Sequence, residues 1–189
     1  MRPINLHTFI HDSVSAATLQ KLKAVHFDHF TQELATISER AVRVHIHQHI
    51  PGVTDFDYTG TDVAATVNEW NRLASQYAYD VKITSYQTDR YLLIIEGFIH
   101  DRVAGIAQWG GKTGNSLIAS TIDSTTIAHE VGHTFTARHS GIMQSPNPVN
   151  RGQVCSSYMA TGEDEGPCSL YRYSTINRER IQNFLDKQD

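Results

Sequence analysis

The stretch AHEVGHTFTARHS, Ala128 to Ser140, carries three histidines and a glutamate. His129 and His133 stand four residues apart, so on a helix both imidazoles fall on one face, one turn apart. That spacing lets both ring nitrogens reach a single ion at about 2.0–2.1 Å. Glu130 is offset by roughly 100° from His129 and can lean over the open side of such an ion to reach a water without ligating the metal. Two histidines leave a catalytic site one protein ligand short. His139 is the next donor, and a continued helix would carry it about 15 Å along the axis from His129. The helix must therefore end soon after His133, and the chain must turn back.

Working outward, Asp123, Ser124 or Thr125 offers the N-cap for the helix that carries this motif. Before it, GIAQWGG (105–111) and NSLIAST (115–121) read as strands, and YLLIIEGFIH (91–100) is apolar enough for a central strand. Val63, Val67, Trp70, Leu73 and Tyr77 recur at helical spacing behind a cap at Thr61 or Asp62. AVRVHIHQHI (41–50) alternates, with Val42, Val44 and Ile46 on one side and His45, His47 and His49 on the other, until Pro51-Gly52 ends it. INLHTFI (4–10) is a first strand. A helix follows from Ser13 or Ser15, with Leu19, Leu22, Phe30, Leu34 and Ile37 apolar. Downstream, residues 141–170 are rich in Gly, Pro, Ser and Asn with little periodicity. A last helix spans about 175–187, with Ile176, Ile181, Phe184 and Leu185 apolar. The order predicts a single α/β (α+β) domain built on a mixed sheet.

The 189 residues suffice for one sizeable core and are short for two. The net charge of −4 and the absence of a basic cluster argue against nucleic acid and anionic membrane as partners. No apolar run approaches the roughly 20 residues that span a bilayer. MRPINLHTFIHDSV lacks the apolar centre of a signal peptide. Cys155 and Cys168 are either a disulfide closing a short loop, worth about 3 kcal/mol, or two buried thiols. A disulfide would point to an oxidising compartment.

At these residues the sequence resembles the metzincin zinc endopeptidases. His129, Glu130, His133 and His139 match H-E-x-x-H-x-x-G-x-x-H except that Thr136 stands at the glycine, where positive φ costs a β-branched residue about 1–3 kcal/mol. Met159, in CSSYMATG, matches the methionine that packs under the metal. Met143 is too near His139 for that part. The distance to Met159, the adjacent cysteine and the final helix YSTINRERIQNFL resemble the adamalysin (reprolysin) branch. GIAQWGG is similar to that branch's cleft-edge strand.

The resemblance implies one domain over 1–189, with a five-stranded mixed sheet, two long helices, an active-site helix and a C-terminal helix. Residues 1–138 would form the upper part with the sheet, and 139–189 the lower part with the methionine turn. It implies one Zn2+ per chain held by His129, His133 and His139, with Glu130 as general base. A polypeptide substrate would lie extended along Ala107, Gln108, Trp109 and Gly110. An oxyanion-assisting tyrosine of some relatives is replaced by Thr161.

Other readings stand beside this one. Glu163 or Glu165 is an alternative third ligand. His45, His47 and His49 form a polar strand face or, less simply, a metal clip. Asp55, Asp57, Thr59 and Gly60 begin like a calcium loop, but its twelfth position is Thr66. The chain as a whole reads as a zinc endopeptidase, as a metal-dependent hydrolase of a nonpeptide substrate, or as an inactive zinc-binding module. The visible sequence has no zinc-blocking cysteine segment, which suits a secreted or delivered toxin or effector, alone or as part of a longer chain.

Overall fold

The computed structural model describes residues 1–84, 86–109, 114–140, 142–144, 153–161, 166 and 168–188. Strand alternation sets its layers. In β1 (Ile4–Ile10), Ile4, Leu6 and Ile10 face one core, while Phe9 faces another. The same split holds in β3 (Arg90–Ile95), where Leu92 and Ile94 oppose Tyr91, Leu93 and Ile95, and in β5 (Ser116–Ser120), where Leu117 and Ala119 oppose Ile118. A sheet apolar on both faces must be covered on both. α3 (Val63–Asp80) covers one face with Trp70, Ala74 and Ala78. The helices α1 (Ala16–Leu22), α2 (Asp28–Ser38), α4 (Thr126–Thr134) and α5 (Thr175–Leu185) lie on the other.

With β2 (Val42–His47) and β4 (Gly105–Ala107), the strand order is β2-β1-β3-β5-β4. The first four run parallel and β4 runs antiparallel to β5, giving the expected five-stranded mixed sheet. β3 is central, as its apolar run predicts. It stops at Ile95 rather than continuing to 100, because Glu96 leaves the sheet to cap α1 through Ser15 N–H at 2.6 Å and Gly97 takes φ +105°. The strands read over 105–111 and 115–121 are likewise shorter, and Gly110 and Gly111 lie outside the described residues.

Two expectations change on the first helix and β2. The run from 16 to 38 is helical throughout, but a π turn, Lys23–Phe27, divides it. The apolar spacing explains the break: Leu22 and Phe27 are both buried and five apart, one more than an α-helical face allows. On β2, the valine and isoleucine row faces away from the histidines, but only Val42 packs against the core. Val44 and Ile46 are 38% and 49% exposed. With Leu19, Leu22 and Phe27 they line an open groove of about 460 Å³ beside this edge strand.

The irregular stretch after residue 140 holds a short hairpin, β6 (Ile142–Gln144) paired antiparallel with β7 (Val154–Ser156). A Cys155–Cys168 disulfide staples it, with a Cα–Cα distance of 4.7 Å. Glu163 and Glu165 lie outside the described residues.

Candidate metal centre

α4 begins after a local turn in which Asp123 Oδ1 accepts the Thr125 N–H at 2.6 Å. Thr125 occupies the N-cap position without a side-chain cap bond of its own. At the other end the helix stops on an outside partner. The guanidinium of Arg90, fully buried in β3, donates to Thr134 Oγ1 at 2.7 Å and to Thr134 O at 2.9 Å, and it stacks 3.8 Å over the Phe135 ring. A cation on the last carbonyls is favourable electrostatically and closes the helix. Two residues later the chain reverses. Thr136 sits at φ +72°, the left-handed conformation that the glycine position of the motif calls for. Ala137 N–H returns to Gly132 O at 2.9 Å.

That turn brings His139 back over α4. The Nε2 atoms of His129, His133 and His139 lie 3.1–3.2 Å from one another. The other ring nitrogens fix two of the rings. His129 Nδ1 bonds Tyr158 O at 2.8 Å, and His133 Nδ1 bonds Ala137 O at 3.0 Å. A carbonyl accepts, so each Nδ1 is the protonated nitrogen and each Nε2 presents a bare lone pair to the common centre. Burial, followed by the nearby His133, holds His129 down at about 4, and burial also lowers His133. Both rings are neutral near pH 7, the form that binds a metal.

Glu130 points from the same helix into a cleft of about 430 Å³ lined also by Arg102, Gly105, His129 and Thr161. It is 7% exposed, and burial pushes its carboxyl up to about 8. Its room is made by Gly105 on β4: a Cβ there would stand 2.6 Å from Glu130 Oε1 and 2.7 Å from its Cγ. Behind α4, Met159 is fully buried, with its sulfur against Gly132, where a Cβ would meet Sδ at 2.8 Å and Tyr173 at 2.7 Å. Tyr173 donates its hydroxyl to Ala128 O at 2.6 Å.

Ala107 ends the edge strand, and Gln108 N–H extends its pairing to Ser116 O at 3.0 Å. Trp109 is 57% exposed with its ring 5.0 Å from that of His133, so it stands beside the histidine cluster rather than in the core. His45 and His47 lie beside His7: the His45 ring stacks on His7, the His47 ring is tilted to it with His47 Nε2 3.4 Å from His7 Nδ1, and the three nitrogens do not converge on one point. Asp57 bonds Thr59 in a local turn. Among the described residues, His129, His133 and His139 are the group placed to share an ion.

Sequence reasoning missed Gly105, Arg90, Tyr158 and Asn177. Asn177 left a trace: it lies four before Ile181 and eight before Leu185, and all three are buried, whereas Ile176 is 50% exposed. An asparagine in the apolar stripe of a helix signals a buried polar task.

The reprolysin-type profile of Metallo-peptidase family M12 matches residues 51–185. Among solved structures the chain is similar to archaemetzincin from Methanopyrus kandleri, with 14% identity, 97% of this chain and 96% of that one covered, and a TM-score of 0.52. It is also similar to a zinc-dependent peptidase from Methanocorpusculum labreanum, with 13% identity, 93% and 99% covered, and a TM-score of 0.49. No curated protein sequence matches it. At such identities the archaemetzincin likeness speaks for the fold, and the family rests on a profile that runs from the turn after β2 to the end of α5. This chain is a member of the M12 metallopeptidase family.

Proposed function

We propose that the protein is a zinc endopeptidase in which His129, His133 and His139 hold one ion and Glu130 moves the proton. The observation that carries this reading is the convergence of three Nε2 atoms at 3.1–3.2 Å. With Nδ1 of His129 and His133 committed to carbonyls, bare lone pairs crowd one point, and a cation there turns that repulsion into attraction. Tetrahedral ligation at about 2.05 Å places neighbouring nitrogens about 3.3 Å apart, close to the observed triangle. The donor set of neutral imidazoles suits zinc.

Bound there, zinc supplies Lewis acidity to a water and to the scissile carbonyl. The positive charge of an ion held by the three histidines would favour the ionised form of Glu130 against its burial, and as a carboxylate Glu130 takes a proton from the attacking water and delivers it to the leaving amine as the C–N bond breaks. Its burial against Gly105 keeps the carboxyl out of bulk water, and the helix fixes its reach. Met159 packs under the histidine-bearing helix and keeps that face rigid. The edge of β4, continued by Gln108 and Trp109, accepts an extended polypeptide by strand addition. The left-handed turn at Thr136 supports a complete ligand set over a degenerate one. The Cys155–Cys168 disulfide supports a place of action in an oxidising compartment, as for a secreted or delivered peptidase. Two reactive thiols in the protein from its natural source would sink that part.

Glu130→Ala tests the core of the proposal. We expect zinc content to stay near one per chain while hydrolysis of casein or a peptide library falls by about 10²–10⁴-fold. An unaltered protein that leaves those substrates uncut at neutral pH with zinc would defeat it.

A further inference from the structure

We infer that Asn177, on the C-terminal helix, is the positioning residue for His139. This rests on the reading of His139 as a metal ligand. His129 and His133 are held twice, by the rigid α4 and by a carbonyl on Nδ1. His139 lies beyond the helix, and among the described residues its ring has no carbonyl partner. Its direction must come from the backbone that carries it.

Asn177 holds the residues on both sides of His139, through the backbone of one and the hydroxyl of the other. Its Oδ1 accepts the Arg138 N–H at 3.0 Å and Arg180 Nη1 at 3.1 Å. Its Nδ2 donates to Arg138 O and to Ser140 Oγ, each at 2.8 Å. The side chain is fully buried, and all four of its bonding positions are filled. The residues it holds, Arg138 and Ser140, bracket His139. Ser140 is tied further: its N–H reaches Met159 O at 3.2 Å, its carbonyl accepts from Ser157 Oγ at 2.8 Å, and its hydroxyl meets Ser174 Oγ at 3.0 Å. This network also bears on Thr136. A threonine at φ +72° favours release of the turn, and Asn177 resists that release two residues later. In place of a glycine that makes the turn easy, this chain has an asparagine that holds it.

The test compares zinc affinity, by chelator competition, in the unaltered protein, Asn177→Ala and His139→Ala. A Co2+ absorption spectrum reports the ligand set, and thermal unfolding of the metal-free protein reports the fold. Asn177→Ala is expected to bind zinc about 10–100-fold more weakly, with weakened Co2+ bands. Asn177→Asp, which keeps the acceptor and the volume, should recover part of that loss. A merely structural asparagine would lower the unfolding temperature and leave the affinity of the folded protein alone. That result overturns the inference while His139→Ala still loses zinc. If His139→Ala binds zinc as the unaltered protein does, the ligand reading fails instead. Should the Asn177 variants not fold, hydrogen exchange of the unaltered metal-free protein decides. The Arg138 amide is then expected to be protected like the amides of α4, and exchange at the rate of an open loop overturns the inference.

Discussion

Two groups of three histidines sit in this molecule and are used in different ways. His129, His133 and His139 point their Nε2 atoms at one another. His7, His45 and His47 are arranged otherwise: His7 stacks on His45 with centroids 5.0 Å apart and on Tyr91 at 5.1 Å, His47 stacks on Phe9 at 4.5 Å, and a single ring-nitrogen contact, His47 Nε2 to His7 Nδ1 at 3.4 Å, joins two of the three. Residue type is the same in both, so it cannot be what makes a metal centre. The difference lies in what holds Nδ1. In the first group carbonyls from the 158 and 137 positions turn two rings edge-on to a shared point. In the second, neighbouring aromatic rings claim the faces, and the strand pleat spaces the rings along a surface.

The sharpest way to break this contrast is to delete a histidine from each group. His129→Ala should abolish hydrolysis and bound zinc, whereas His45→Ala should leave zinc content and turnover within about twofold, since surface changes away from a site rarely exceed about 0.5 kcal/mol. Metal analysis and peptide assays read both, and zinc lost from His45→Ala would erase the distinction. Next in size is Gly105→Ala. Its Cβ must displace Glu130, and a misplacement of about 1 Å can cost about 10²-fold in rate, with zinc retained. Wild-type turnover in that variant would mean that Glu130 need not sit where it does.

The second group carries a pH signature of its own. Burial, only partly offset by Asp89 and reinforced by His45 and His47, holds His7 down at about 4. Above pH 6.5 the ring is neutral whether the chain is folded or not, and there is no cost. Between 6.5 and 4 the unfolded chain takes up a proton that the folded one refuses, so stability falls as pH falls through that window. Urea unfolding of His7→Gln should show a shallower acid decline, and an identical slope would remove His7 from the account. The smallest effect is expected at Thr136→Gly. Relief of the left-handed threonine should raise thermal stability by under about 1 kcal/mol, with no loss of zinc.

Much of this was readable from the residues. Periodicity placed every strand of the sheet and the helices α3, α4 and α5, because apolar alternation and 3.6-residue spacing are properties of single segments. The three histidines and Glu130 could be named because four of the relevant positions fall within one helix and its exit. Other features escaped for the reason that made these visible. Gly105 matters through a Cβ that it lacks, opposite a residue 25 positions away, and no local pattern reports that. Arg90 stands just outside the strand read over 91–100, yet it closes a helix 44 positions later. The π turn was legible in principle from the five-residue step between Leu22 and Phe27, but an unbroken helix absorbs one irregular step without complaint.

The C-terminal helix gives the molecule an order of assembly. α5 is docked on α2 by Arg178 near Glu33 at 3.6 Å, and its end receives Arg40 Nη2 on Leu185 O at 2.8 Å. An element made after the motif is thus sewn to segments made well before it, across contacts more than 140 residues apart. Such distant closures come late in folding. A nascent chain that has already emitted His129, Glu130, His133 and His139 still lacks the segment that locks their turn, so competence for metal-dependent cleavage arrives with completion of the fold rather than with synthesis of the motif.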